Sequence, residues 1–127
     1  MKITQFTDFS LRMLLYLAAN RDRPVTVREV AGFYDISSEH LKKIVRRLSE
    51  LGHIRTMRGK NGGLRLAREP AEINLGQLVR QAENLSLLPC YEGLPCQVVN
   101  CKLRGVVDEG LAAFLAAFDR KTLADII

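Results

Sequence analysis

The sequence predicts a mostly α-helical chain with a small β wing. Three patterns predict it: two helical segments in tandem, the second strongly basic; a glycine-rich basic hairpin directly after them; and a long final helix whose apolar residues alternate three- and four-residue steps. The first two, in that order, spell a winged helix-turn-helix over residues 1–70. The third closes a second segment, residues 71–127, in which an irregular loop precedes a helix shaped for dimerisation.

Each element has its own signal. Thr7 or Asp8 can cap a first helix that runs to Asn20, with Leu11, Leu14, Leu15 and Ala18 on one face. Arg21-Asp22-Arg23-Pro24 ends it. Thr26-Val27-Arg28-Glu29 reads as a capping box, with Glu29 placed to reach back to the Thr26 amide. Ser37 or Ser38 can cap the next helix, which runs to Leu51 and repeats Leu41, Ile44, Val45, Leu48 and Leu51 at helical spacing. Gly52 fits its C′ position. His53–Arg58 and Leu64–Arg68 read as two strands around Gly59-Lys60-Asn61-Gly62-Gly63, and Asn61-Gly62 is a strong hairpin signal. Ile54, Leu64 and Leu66 can face the core, and His53 reads as structural. After Pro70, Asn74 can cap a helix through Leu75, Leu78, Val79 and Ala82. The final helix begins near Cys101 and carries Leu103, Val106, Val107, Gly110, Leu111, Phe114, Leu115 and Phe118 on one stripe. Thr122 can cap a last short turn.

At 127 residues the chain can bury a working core without disulfides, and it is too short for a large multi-domain enzyme. With 47% apolar and 26% charged residues it does not have the composition of a disordered chain. The longest apolar run, Met13–Ala19, is too short to span a bilayer and has no signal-peptide cleavage site after it, so a cytoplasmic protein without membrane attachment is expected. No Ser–His–acid set, P-loop or dinucleotide fingerprint is present, and no enzymatic activity is expected.

Charge divides the chain. Residues 1–70 hold fourteen Lys and Arg against seven Asp and Glu, whereas residues 71–127 hold five against seven. Lys42–Arg68 contains nine basic residues and a single acid, Glu50. A concentrated basic field favours polyanions, and on this helix order the polyanion is double-stranded DNA. The second helix of the pair would lie in the major groove and the hairpin tip against the backbone or an adjacent groove. The candidate DNA-binding residues are Ser38, His40, Lys42, Lys43 and Arg46 on the helix and Arg58, Lys60 and Asn61 on the wing. A basic solvated helix alone would not point to DNA; its combination with the hairpin does. Arg55, Arg65 and Arg68 add charge, or are simply solvated strand residues.

Three cysteines fall in one loop, Cys90-x5-Cys96-x4-Cys101, among Pro89, Gly93 and Pro95. An odd count in a reducing compartment is no disulfide framework. Clustered thiolates repel unless a cation holds them, and thiolate sulfur is what zinc and iron–sulfur clusters bind. The spacing is wider than the C-x2-C of a zinc ribbon and suits a larger cofactor. Three buried thiols acting as small hydrophobes are the plain alternative. A fourth ligand has no histidine available in this half; Glu92 is close in sequence, and Asp8 could arrive from a partner subunit.

Phe6-Thr7-Asp8-Phe9-Ser10-Leu11-Arg12, Arg58-Gly59-Lys60-Asn61-Gly62-Gly63-Leu64-Arg65-Leu66, the three cysteines and Thr122-Leu123-Ala124-Asp125-Ile126 together resemble the winged-helix iron–sulfur repressors. That family includes the NsrR-type nitric-oxide sensors and the IscR-type regulators of cluster homeostasis. Leu85-Ser86-Leu87-Leu88 and the Lys60-Asn61 wing are closer to the NsrR type, and the His that follows the third cysteine in IscR-type members is missing. The resemblance implies a homodimeric repressor that binds a DNA operator, with one cluster per subunit, [4Fe–4S] ahead of [2Fe–2S]. It implies Cys90, Cys96 and Cys101 as ligands, Asp8 from the partner subunit as the fourth, and nitric oxide as the signal that releases the operator. A redox-, iron- or zinc-responsive regulator using the same cysteines is the alternative, and a small iron–sulfur electron carrier a more distant one.

Overall fold

The computed structural model describes all residues, Met1–Ile127. The order of elements is α1 (Gln5–Ala19), α2 (Val27–Tyr34), α3 (Ser38–Glu50), β1 (Ile54–Met57), β2 (Gly63–Leu66), α4 (Leu75–Ala82) and α5 (Lys102–Asp119), with short 3-10 turns at Pro70–Glu72, Pro89–Glu92 and Leu123–Ile126. This is the mostly helical, winged architecture that the sequence predicts.

The first helix starts earlier than its local signals suggest. Thr4, not Thr7 or Asp8, is the cap: its Oγ1 accepts the Thr7 amide at 3.4 Å, and Thr7 itself is fully buried. The reason is tertiary. Glu83, at the end of α4, accepts the Thr4 amide at 2.9 Å and the Thr4 hydroxyl at 3.1 Å, placing a carboxylate at the positive end of α1. Met13, Leu14 and Leu17 then form the buried stripe of α1.

Thr26 caps α2 by accepting the Glu29 amide at 3.1 Å. The other half of the expected capping box does not form. The Glu29 carboxylate turns away to accept from Arg23 Nη1 and Nη2 at 2.8 and 2.6 Å and from the Tyr16 hydroxyl at 2.7 Å. A guanidinium and a phenol outcompete a single amide, and they join α1, the connecting turn and α2. α3 follows its sequence pattern: Ser37 caps it, and Leu41, Ile44, Val45 and Leu48 are buried.

β1 and β2 pair antiparallel with Ile54 opposite Leu66 and Thr56 opposite Leu64. Val25 adds a third, single-residue rung, with Leu64 O accepting its amide at 3.0 Å and Val25 O accepting that of Leu64 at 2.7 Å. The tip is not a two-residue Asn61-Gly62 turn. The Gly62 amide donates to Gly59 O at 3.0 Å, which puts Lys60 and Asn61 at the centre, and the positive φ values fall at Gly59 and Gly63. Gly62 is needed for another reason: a Cβ there would collide with the Met57 backbone.

One core cluster joins α1, α3 and the wing to Ile73, Leu78 and Leu123, so residues on both sides of position 70 share it. His53 is buried, with Nε2 2.9 Å from Gln81 Oε1, and bridges the end of α3 to α4. The C-terminal end of α5 lies on α4. Arg80 pairs with Asp119 through both carboxylate oxygens, and Asn74 Nδ2 donates to Asp119 O at 2.8 Å. Gly76 permits this approach, since a Cβ would strike the Asp119 side chain and come within 2.9 Å of its amide nitrogen. The other half of α5 has no cover: Leu103 and Val106 are 62% and 65% exposed, and Leu115 alone is buried.

Two outcomes follow from these contacts. Gly76→Ala is expected to lower stability in urea unfolding by about 1 kcal/mol, the overpacking cost of about 1–3 kcal/mol outweighing ~1 kcal/mol of helix propensity. The Arg23 and Tyr16 hydrogen bonds hold the Glu29 carboxyl down to about 2, against an ordinary 4.5. A carboxyl depressed in the folded state stabilises it above the unfolded value and loses that contribution as pH falls through the folded one. Stability should therefore drop between about pH 4.5 and about 2, and an acid titration of Glu29→Gln should show a shallower drop from a lower starting point.

Candidate nucleic-acid interface and cysteine cleft

The buried stripe of α3 turns its opposite side to solvent. His40, Lys42, Lys43 and Arg46 are exposed there, and Ser38 is half-buried in the first turn. Arg58, Lys60 and Asn61 are exposed on the wing loop. The sequence-predicted DNA contacts thus occupy an exposed helix face and an exposed loop tip, leaving their side chains free to reach a polyanion. The positive charges on α3 are not equally available. Lys42 Nζ lies 2.8 Å from Glu39, while Arg46 and Arg47 share Glu50 at 3.7 and 3.5 Å. Lys43 has no ion-pair partner. His40 stands edge-on to Phe9, with ring centroids 5.5 Å apart, so the start of α3 is braced against α1. One turn away from Phe9 on the same helix edge, Arg12 Nε donates to both oxygens of Asp8 at 2.9 and 3.0 Å, and the Arg12 guanidinium lies 5.5 Å from the Tyr34 ring centroid.

The three cysteines are brought together. Cys90 sits in the turn Pro89–Glu92, Cys96 in the exposed loop, and Cys101 at the N-cap of α5. With Leu94, Val98 and Arg104 they line one cleft of about 180 Å³. All three are free thiols. No group of three or more His, Cys, Asp or Glu side chains is arrayed tightly enough to hold a metal ion by itself. Asp8 and Glu92 are absent from the cleft wall: Asp8 is paired with Arg12, and Glu92 Oε1 accepts from Asn84 at 3.3 Å. The donor set nevertheless fits a thiophilic group, because three soft sulfurs with no competing disulfide face one solvent-open space.

Sequence reasoning missed the brace of this loop. Arg104 stacks over the Tyr91 ring at 4.6 Å, and the Tyr91 hydroxyl donates to Asp108 at 2.5 Å, which raises the hydroxyl's pKa above its ordinary value. Arg104 and Asp108 are one turn apart on α5, so the loop residue beside Cys90 is clasped by the helix whose N-cap is Cys101. Only the four-residue spacing of Arg104 and Asp108 was visible in the sequence; their aromatic partner lies across the loop.

Comparison with known proteins adds the following. A family profile described as "Rrf2: Iron-dependent Transcriptional regulator" matches residues 3–127. Among curated proteins, the HTH-type transcriptional regulator NsrR of Shouchella clausii is 45% identical over all of this chain and 89% of its own length. The regulator of the same name from Bacillus subtilis is 39% identical over all of this chain and 90% of its own. Among solved structures, T. potens IscR superposes with a TM-score of 0.82 at 24% identity, covering 99% of this chain and 85% of that one. The B. subtilis cysteine regulator CymR does so with 0.80 at 24%, covering 99% and 95%. These two likenesses show a common fold.

The charge pairing on α3 makes a graded prediction. In salt titrations of duplex DNA binding, Lys43→Ala should reduce the slope of log Kobs against log salt by about 0.9, as for one lost phosphate contact. Lys42→Ala should reduce it less, because Glu39 already competes for that ammonium. Equal effects would mean that the Lys42–Glu39 pair opens at no cost on DNA.

Proposed function

We propose, from the premise that this chain belongs to the Rrf2 family of transcriptional regulators, that it is a nitric-oxide-responsive iron–sulfur repressor. The coarser part is direct: it is a DNA-binding transcriptional regulator and not an enzyme. No helix is long and apolar enough to cross a membrane, and a cytoplasmic location accords with the regulatory role. The observation that carries the finer reading is the single cleft shared by three free cysteines, Cys90, Cys96 and Cys101, in a chain similar over its whole length to regulators named NsrR.

In this reading the three thiolates hold an iron–sulfur cluster, [4Fe–4S] in preference to [2Fe–2S], and the partner subunit's Asp8 supplies an oxygen ligand. When bound, the cluster supplies iron that nitric oxide can attack. The chain's own residues do the rest. Ser38, His40, Lys42, Lys43 and Arg46 present the reading face, and Arg58, Lys60 and Asn61 engage the backbone near the wing tip. The uncovered apolar stripe of α5 is where a second copy of the chain packs, giving two reading helices for two half-sites. Asp8 lies on the same helix as Phe9, whose ring meets His40. A change at Asp8 therefore reaches α3 through a packed contact. A hundredfold change in DNA affinity requires a coupling of only about 2.7 kcal/mol. The exposure of Cys96 favours a second reading, a regulator switched by thiol oxidation or zinc.

Anaerobic purification followed by iron, sulfide and zinc analysis separates the two. About four iron and four sulfide per chain, with a colour bleached by nitric oxide, is expected; zinc alone, or no metal, would overturn the cluster reading. Asp8→Ala with a full iron complement is expected to respond to nitric oxide with a smaller change in DNA retention than the parent. An undiminished response would remove Asp8 from the switch.

A further inference from the structure

Outside the reading helix, the wing tip and the cysteine loop, the structure holds one other concentration of charge. Arg21, Arg55 and Arg65 line a cleft of about 70 Å³ with Leu17, Asn20 and Leu66, between the end of α1 and the flank of the wing. Arg55 and Arg65 are directly opposite each other across β1 and β2. Like charges in that position destabilise a strand pair. Where two arginines are crowded on α3, Arg46 and Arg47 share the Glu50 carboxylate. Here no carboxylate is shared. The nearest acid in use, Glu69, has both oxygens taken by Arg21, at 2.7 and 2.8 Å. Arg65 Nη1 is turned into the cleft by donating to Arg21 O at 3.0 Å, and Arg55 has neither an ion pair nor a side-chain hydrogen bond. Two guanidinium groups therefore share one concave space with no anion of the chain between them.

We propose that this cleft is an oxyanion site that takes a phosphate group, with Arg55 and Arg65 as its donors. Guanidinium forks match the geometry of phosphate oxygens, and a bridging anion turns the Arg55–Arg65 repulsion into two attractions. The site lies on the same two strands that carry the wing tip. Arg55 lies on β1 two residues before its end at Met57, where the wing loop begins, about 7 Å along the strand, a distance that spans about two phosphates of one DNA strand along the helix axis. A duplex lying against the tip can thus offer a phosphate to the flank as well, and a free phosphate ion offers the same chemistry.

The test uses the whole protein without regard to its cluster, so it stands or falls separately from the nitric-oxide reading. Binding of a mixed-sequence duplex of about 30 base pairs is measured against salt for the parent, Arg55→Gln and Arg65→Gln, and the slope should fall by about one in each variant. Unfolding midpoints are measured in inorganic phosphate and in chloride at equal ionic strength; phosphate stabilises any folded chain by exclusion from its surface, and the rise should be larger for the parent than for the variants. A slope change without the phosphate effect assigns the site to the DNA backbone, and a phosphate effect without a slope change assigns it to a free oxyanion. Unchanged slopes together with the same phosphate-induced rise in parent and variants would overturn the proposal. Arg55 is exposed and its side chain makes no hydrogen bond, so Arg55→Gln reports on the site even if loss of the Arg65–Arg21 contact weakens the wing.

Discussion

The burial of one face of α1 is the constraint on which the rest of the molecule depends. Met13, Leu14 and Leu17 are inaccessible to solvent or nearly so, and the helix that carries them touches α3, β2, α4 and the C-terminal turn. A close-packed interior does not deform smoothly, so α1 sets the relative placement of the basic helix, the wing and the anchor of α5. Its N-terminus is held by Glu83 from the end of α4, and its C-terminal turn by Arg23 and Glu29. Asp8, Phe9 and Arg12 sit on the same rigid rod, on the side that faces His40 and Tyr34.

The cysteine loop is built on the opposite principle. From Glu92 to Asn100 every residue is exposed, and its fixed points are few: the turn around Cys90, the Tyr91–Arg104–Asp108 clasp and the cap of α5. A segment with so few buried contacts can rearrange at low cost while the core stays folded. The grouping of Cys90, Cys96 and Cys101 can therefore change without unfolding the core. The first half of α5 behaves similarly, an apolar stripe that this chain alone does not cover, while its second half is locked to α4 through Asp119 and the space left by Gly76.

The sequence was most legible where a signal is local. Leu41, Ile44, Val45 and Leu48 at helical spacing, the Ser37, Asn74 and Thr122 caps, and Gly52 after α3 all appear as read. His53 is structural, as its position suggested. The clustering of cysteines was legible as well, and so was the basic character of α3 and the wing. The cap of α1, the partner of Glu29 and the turn at the wing tip were read wrongly: Glu83 from the end of α4 holds Thr4, Arg23 and Tyr16 outcompete the Thr26 amide for Glu29, and the approach of Gly62 to the Met57 backbone fixes a turn centred on Lys60 and Asn61.

By itself, the sequence determined the helix order, the presence of a wing, the buried faces of α3 and α4 and the family resemblance, since propensity, periodicity and capping act over a few residues and are written there; α1, read with Leu11, Leu14, Leu15 and Ala18 inward, instead buries Met13, Leu14 and Leu17. Only the tertiary structure decided which charges are free and which are paired. Glu69 engages Arg21 and leaves Arg55 facing Arg65, and Arg104 finds Tyr91. Those choices depend on side-chain distances of a few ångströms between segments up to 48 residues apart. Coulombic and hydrogen-bond energies fall off over that same scale, so composition and spacing alone do not carry them.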